Sequence, residues 1–212
     1  ATGGTIEDNM LNILGISESA WAGNRVTKNL VNLFDNPSDQ RAMFWTDGQN
    51  LEINAIDLFT DGYACTKFKN LNSDGTTGSD GYYTDTDFPL MRLADVYLMY
   101  AEAVLRGGSG GDLGTATNYI NELRFRAYGD NTGDISSISL DFILDERARE
   151  LYWEAHRRTD LVRFGKFTGD SYLWPFKGGI AEGVPTHSRY NILPIPSADI
   201  TANPKLEQNL DY

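Results

Sequence analysis

The most constraining feature of this sequence is a run of helical period between Arg92 and Gly165. In Arg92 to Arg106, Leu93, Val96, Tyr97, Tyr100, Ala101 and Val104 are spaced by three and one in turn. That spacing predicts one apolar stripe along a helix. Pro89 precedes it and Gly107-Gly108 ends it, as helix boundaries require. A second helix is predicted over about Leu113 to Tyr128, with Ala116, Tyr119, Ile120, Leu123 and Ala127 on one face. The short glycine-rich link makes the two an antiparallel hairpin. A third helix is expected from the N-cap Ser139 to near Gly165, carrying Leu144, Ala148, Leu151, Tyr152 and Ala155. Asp145 with Arg149 and Glu154 with Arg158 stand at i, i+4 on its other face. Glu146, Glu150 and Glu154, interleaved with arginines, read as a salt-bridged face in preference to a catalytic site.

The chain before this run is of another kind. Glu7 to Leu14 predicts a short helix stopped by Gly15. Asn24 is placed to cap a second, with Val26, Leu30, Val31 and Phe34 on one face and Asn36-Pro37 at its end. Short strands are predicted at Ala42 to Trp45, Leu51 to Ile56 and Tyr63 to Lys69, with turns at Asp47-Gly48 and Asp61-Gly62. Asn72 to Gly81 holds no apolar residue and reads as a solvated loop. After Gly165 the period is lost. Pro175, Pro185, Pro194, Pro196 and Pro204 then imply an extended tail wrapped on a core. The division is thus 1–87, loop-rich and ligand-facing, and 88–212, helical with a wrapped tail.

Charge and cysteine content narrow the function. Lys and Arg number 18 against 30 Asp and Glu, a formal net charge of −12. That argues against nucleic acid and anionic membrane surfaces as partners. A lone Cys65 excludes a disulfide framework within the chain. No apolar run approaches a membrane span. The start, Ala1-Thr2-Gly3-Gly4, shows no signal peptide and no cysteine for lipidation. The expectation is a cytoplasmic protein with its start removed, or a piece of a longer chain.

Chemistry-bearing motifs are few. His156 and His187 lie far apart, and no Gly-x-Ser-x-Gly, P-loop or His-Glu-x-x-His motif occurs. A paired-carboxylate glycosidase stays open, since it needs only two carboxylates at the right separation. Asn70-x-Asn72-x-Asp74-Gly75 is similar to the opening of a calcium loop, but Gly81 stands where the bidentate Glu belongs. No cofactor is expected, and a structural calcium is the one alternative. Sugar recognition needs aromatic platforms beside amides and carboxylates. Trp21 with Asn24, Trp45 with Asp47, and Tyr82-Tyr83 supply those types. For each aromatic the competing reading is core packing. Trp153 and Trp174 are assigned to packing.

The order of motifs resembles the SusD/RagB family. Phe88-Pro89-Leu90-Met91-Arg92-Leu93-Ala94-Asp95-Val96-Tyr97-Leu98-Met99-Tyr100-Ala101-Glu102-Ala103 looks like its signature helix. Asp145-Glu146-Arg147-Ala148-Arg149-Glu150-Leu151 with Arg158-Thr159-Asp160-Leu161-Val162-Arg163-Phe164 matches the next motif. Leu193-Pro194-Ile195-Pro196 and Asn203-Pro204-Lys205-Leu206-Glu207-Gln208-Asn209, closing on Tyr212, resemble the chain ending, with Asn209-Leu210-Asp211-Tyr212 departing from the usual Asn-Pro-Gly-Tyr. Asp39-Gln40-Arg41, Gly62-Tyr63 and Lys67-Phe68 match more loosely.

The resemblance implies a mainly α fold of tetratricopeptide-type helix pairs with irregular loops and a few short β-strands. It implies a non-catalytic, glycan-binding, outer-membrane lipoprotein acting with a SusC-like TonB-dependent transporter. It also implies that this chain corresponds to about the C-terminal two-fifths of a member, so that the lipid anchor lies elsewhere. An N-terminal half, cut off, absent or a separate chain, would then complete the fold. The alternatives are a carboxylate-dependent glycoside hydrolase and a protein-binding helical scaffold.

Overall fold

The structure, a computed structural model, describes residues 14–16, 24–81 and 83–212. It is mainly helical, with three short strands among the described residues. The chain divides into two compact units, Ala1–Arg157 and Arg158–Tyr212.

The first unit carries β1 (Arg25–Val26), α1 (Lys28–Val31), β2 (Phe44–Trp45), β3 (Tyr63–Cys65), α2 (Leu93–Leu105), α3 (Leu113–Tyr128) and α4 (Leu140–Leu151). The strands form an antiparallel sheet in the order β1-β3-β2. Val26, predicted on a helix, pairs instead with Tyr63 and is buried. The helix after it is cut to one turn behind Thr27. Leu51 to Ile56 is not a strand. The Asp61 carboxylate accepts the N–H of Asn54 at 2.9 Å and of Ala55 at 3.0 Å, and a side chain that takes backbone donors replaces a ladder. The predicted Glu7–Leu14 helix lies outside the described residues except for Leu14.

α2 and α3 form the expected hairpin. Asp112 caps α3 by accepting the Thr115 N–H at 2.8 Å, and the Tyr97 and Tyr119 rings stack across the pair at 4.3 Å. The buried face of α2 differs from the predicted stripe. Ala94, Leu98 and Ala101 are buried, whereas Leu93 and Val96 are exposed. This helix is apolar nearly all round, so period alone does not choose its inner face, and the alanines permit the closest approach. α3 ends on Gly129 at φ 81°, a conformation that penalises a Cβ. A Cβ there would meet only the Gln40 amide, at 3.5 Å. Gly129→Ala is therefore expected to cost about 1 kcal/mol by backbone strain alone, read as a lower urea midpoint at unchanged slope.

The third helix is interrupted. α4 starts from Ser139, whose Oγ accepts the Phe142 N–H at 3.2 Å, but it ends at Leu151 and not near Gly165. Trp153 and Ala155 then take left-handed φ values of 63° and 61°, and α5 (Arg157–Arg163) follows. No glycine or proline marks this stop. Side chains distant in sequence capture the last carbonyls: Arg92 Nη2 donates to Glu150 O at 2.7 Å, and Lys67 Nζ to Tyr152 O at 2.8 Å. These are the acceptors a helix end leaves unsatisfied, and cations favour that end. Trp153, assigned to packing on a long helix, lies in this turn with 41% of its surface exposed.

The second unit is the proline-bearing C-terminal tail. Trp174 is stacked on Phe167 at 5.9 Å, with Lys177 Nζ 4.6 Å above its ring, so it packs as expected. Lys177 is itself buried and donates to the carbonyls of Gly169 and Tyr172. The tail is not wholly extended, because Ser197–Ala202 forms a short helix, α6.

Candidate functional site

Glu146, Glu150 and Glu154 recur every four residues through α4 and the turn after it, and all three are buried. A buried carboxylate is tolerable only when paired. The sequence answers with cations from five segments. Arg41 follows α1, Lys67 follows β3 and Arg92 precedes α2, while Arg124 and Arg126 close α3 and Arg149 lies on α4.

Glu146 accepts from Arg41 at 2.8 Å, Arg124 at 3.1 Å and Arg149 at 2.7 Å. Glu150 accepts from Arg41 at 3.2 Å, Arg92 at 2.6 Å, and Arg126. Glu154 accepts from Arg92 through Nε at 2.7 Å and Nη2 at 2.8 Å, and from Lys67. Asp39 grips Arg41 in a fork at 2.9 and 2.7 Å. The expected i, i+4 pairs give way to these: Arg149 turns to Glu146, and Glu154 to Lys67 and Arg92. The expected salt-bridged face is therefore paired but buried.

Electrostatics follow from the geometry. Burial alone would push the Glu146 carboxyl up, but Arg41, Arg149 and Arg124 outweigh it and hold it below the ordinary carboxylate range. Glu150 and Glu154 are held down in the same way, against their burial, by Arg126, Arg92 and Arg41 and by Arg92 and Lys67 respectively. Burial pulls the Lys67 ammonium down, with Glu154 opposing. Nearby, burial pushes the Cys65 thiol up to about 11, so it stays protonated at neutral pH.

The cluster opens into a cavity of about 220 Å³ lined by Arg41, Met43, Lys67, Phe68, Pro89, Arg92, Arg126, Tyr152 and Glu154 among others. Lys67 Nζ lies 4.6 Å above the Tyr152 ring and 5.2 Å above that of Phe68. Sequence reasoning found the glutamates and noted Asp39-Gln40-Arg41 and Lys67-Phe68, but did not join them. The one signal was the fourfold spacing of the glutamates facing isolated cations far away in the chain.

Of the predicted sugar-contact residues, the described ones, Asn24, Trp45, Asp47 and Tyr83, do not line this cavity. Trp21 and Tyr82 lie outside the described residues. Asn24 is exposed just before β1. Arg25 and Trp45 both pair with Ala64, from opposite sides, so the strand that follows Asn24 and the strand of Trp45 lie about 10 Å apart. Trp45 is half-buried, and its buried indole N–H has no hydrogen-bond partner among the described residues. Asp47 is exposed in the following turn.

Tyr83 is 78% exposed and sits on a pinned loop. Buried Asn70 donates Nδ2 to the carbonyls of Asp80 at 3.0 Å and Tyr83 at 3.3 Å, and its Oδ1 accepts the Asp85 N–H at 2.9 Å. The carboxylate of the calcium-like stretch is taken up locally: Asp74 Oδ1 accepts Thr76 N–H at 2.9 Å and Thr76 Oγ at 2.6 Å. Among the described residues, no three His, Cys, Asp or Glu side chains converge as a metal would need. No helix among them is long and apolar enough to cross a membrane.

The sequence pattern of the SusD family matches residues 37–212. The starch-binding protein SusD of Bacteroides thetaiotaomicron is 44% identical over 178 residues, which are 82% of this chain and 31% of that protein. A solved SusD superfamily protein from Bacteroides vulgatus superposes with a TM-score of 0.63 at 28% identity, covering 89% of this chain and 39% of its own. A solved laminarin-binding SusD-like protein gives 0.61 at 27% identity, over 93% and 40%. The chain thus spans about a third of the length of that curated relative and two-fifths of these solved ones.

Proposed function

The chain belongs to the SusD family, and from that premise we propose that it serves in the non-catalytic binding of glycans at a bacterial cell surface. The bound glycan passes to a SusC-like TonB-dependent transporter, and the protein of which this chain is a part is held in the outer membrane by a lipid anchor. The observation that carries the reading is the 44% identity to a starch-binding relative over most of this chain, reinforced by the fold shared with a laminarin-binding one.

The local chemistry supports binding in preference to cleavage. A glycosidase needs one carboxylic acid held protonated, with its pKa raised. In the cavity, Glu150 and Glu154 are held ionised by guanidinium partners. Tyr83 has the exposure and fixed backbone of a stacking platform, and Trp45, Asp47 and Asn24 offer an indole, a carboxylate and an amide on the strand side. Trp21 and Tyr82 are retained as contacts on their residue type alone.

Affinity electrophoresis of the chain through gels containing starch, laminarin and other polysaccharides tests this reading. Retardation by at least one polysaccharide is expected, and passage through all of them unretarded would overturn it. Tyr83→Ala is expected to weaken a retained interaction by roughly ten-fold, from the loss of one stacked ring, with an unchanged melting temperature.

A further inference from the structure

The cavity is more cationic than its ion pairs require. Among the described residues, Arg41, Lys67, Arg92, Arg124, Arg126 and Arg149 face Asp39, Glu146, Glu150 and Glu154, so six cations meet four carboxylates, an excess of two. This occurs in a chain of net charge −12. The excess is placed toward solvent. Asp39, Glu146, Glu150 and Glu154 are almost fully buried, while the Arg126 side chain is 58% exposed. Among the described residues Arg126 spends one nitrogen, Nη2, on Glu150. Its remaining donors form the planar fork that grips a carboxylate from two sides.

The cavity also has apolar lining. Met43, Phe68 and Pro89 line it, which suits the C–H face of a sugar ring. The lining is also held under strain. Of the five described non-glycine residues with positive φ, Phe68 lines the cavity, and Trp153 and Ala155 flank the lining residue Glu154. Such residues persist where the surroundings hold them and cluster at ligand clamps. A volume of about 220 Å³ lies below the roughly 300–1,000 Å³ of sites for larger ligands, which suits a single monosaccharide unit.

We propose that this cavity takes one carboxylate-bearing sugar of hexuronate chemistry, its carboxylate on the open donors of Arg126 and its ring against Met43, Phe68 and Pro89. The inference rests on the glycan-binding reading and extends it to an acidic sugar. The overall negative charge does not oppose a single bound carboxylate, because charges more than about 8 Å away are screened at physiological salt.

Calorimetric titration of the 212-residue chain with glucuronate, glucose and acetate tests it. Glucuronate is expected to saturate, glucose to give no saturation over the same range, and acetate to need a concentration roughly ten-fold higher or more, since it lacks the ring. Arg126→Gln should weaken glucuronate by roughly ten-fold, and Arg126→Lys nearly as much, because an ammonium offers no fork. Arg126→Lys keeps a cation beside buried Glu150 and should hold the melting temperature, whereas Arg126→Gln removes that charge and should lower it, so Arg126→Lys is the folded control for the affinity loss. Glucose or acetate binding as tightly as glucuronate, or glucuronate affinity unchanged in Arg126→Gln, would overturn the proposal. Neutral-polysaccharide retardation without any glucuronate response would remove this inference and leave glycan binding standing. Failure of both measurements would remove both.

Discussion

Glu146→Ala is expected to destabilise the protein by roughly 3–5 kcal/mol, the range for breaking a buried pair from one side. The carboxylate is wholly inaccessible to solvent and accepts from Arg41, Arg124 and Arg149. Its removal leaves three guanidiniums facing one another. Arg41 keeps Asp39 and Glu150, but Arg149 loses the one carboxylate that it grips twice. Repulsion then adds to the lost bonds. Urea unfolding measures the effect. A loss below about 1 kcal/mol, the range of exposed pairs, would mean that the cluster is not the structural centre described above.

The second large effect is acid unfolding of the first unit. Glu146, Glu150 and Glu154 are each held below the ordinary carboxylate range in the folded chain. A carboxyl whose folded pKa is depressed contributes stability that is fully present above its unfolded pKa, about 4.3 for glutamate. That contribution is lost as pH falls through the folded value. Three such groups in one cluster titrate together. Circular dichroism is therefore expected to show stability held down to about pH 5 and a steep loss below about pH 4. A flat profile down to about pH 2, or a loss centred above about pH 5.5, would contradict the cluster's charge state.

Helix positions were legible where local chemistry sets them. Ser139 caps α4, Gly129 ends α3, and the Tyr97–Tyr119 contact closes the hairpin as spacing suggests. These misreadings of helix and strand share one cause, a partner outside the segment itself. Val26 has helical spacing but is drawn into a strand by Tyr63. Leu51 to Ile56 looks extended but is gathered by Asp61. The third helix carries no stop signal of its own, since Arg92 and Lys67 supply it.

The cavity was half legible for the same reason. Its glutamates are periodic and visible. Its cations come from five separate segments, and only the fold brings them together. Sugar platforms are the least legible, because an aromatic in a loop and an aromatic over a core have the same local sequence. Exposure separates Tyr83, largely in solvent, from Trp174, stacked on Phe167 beneath a lysine.

The most direct measurement is calorimetric titration of the purified chain with a polysaccharide that retards it in gels, paired with an assay for new reducing ends in the same mixture. The account predicts saturable heat and no reducing ends. Absence of saturable heat with every polysaccharide, or release of reducing ends by the chain, would contradict it.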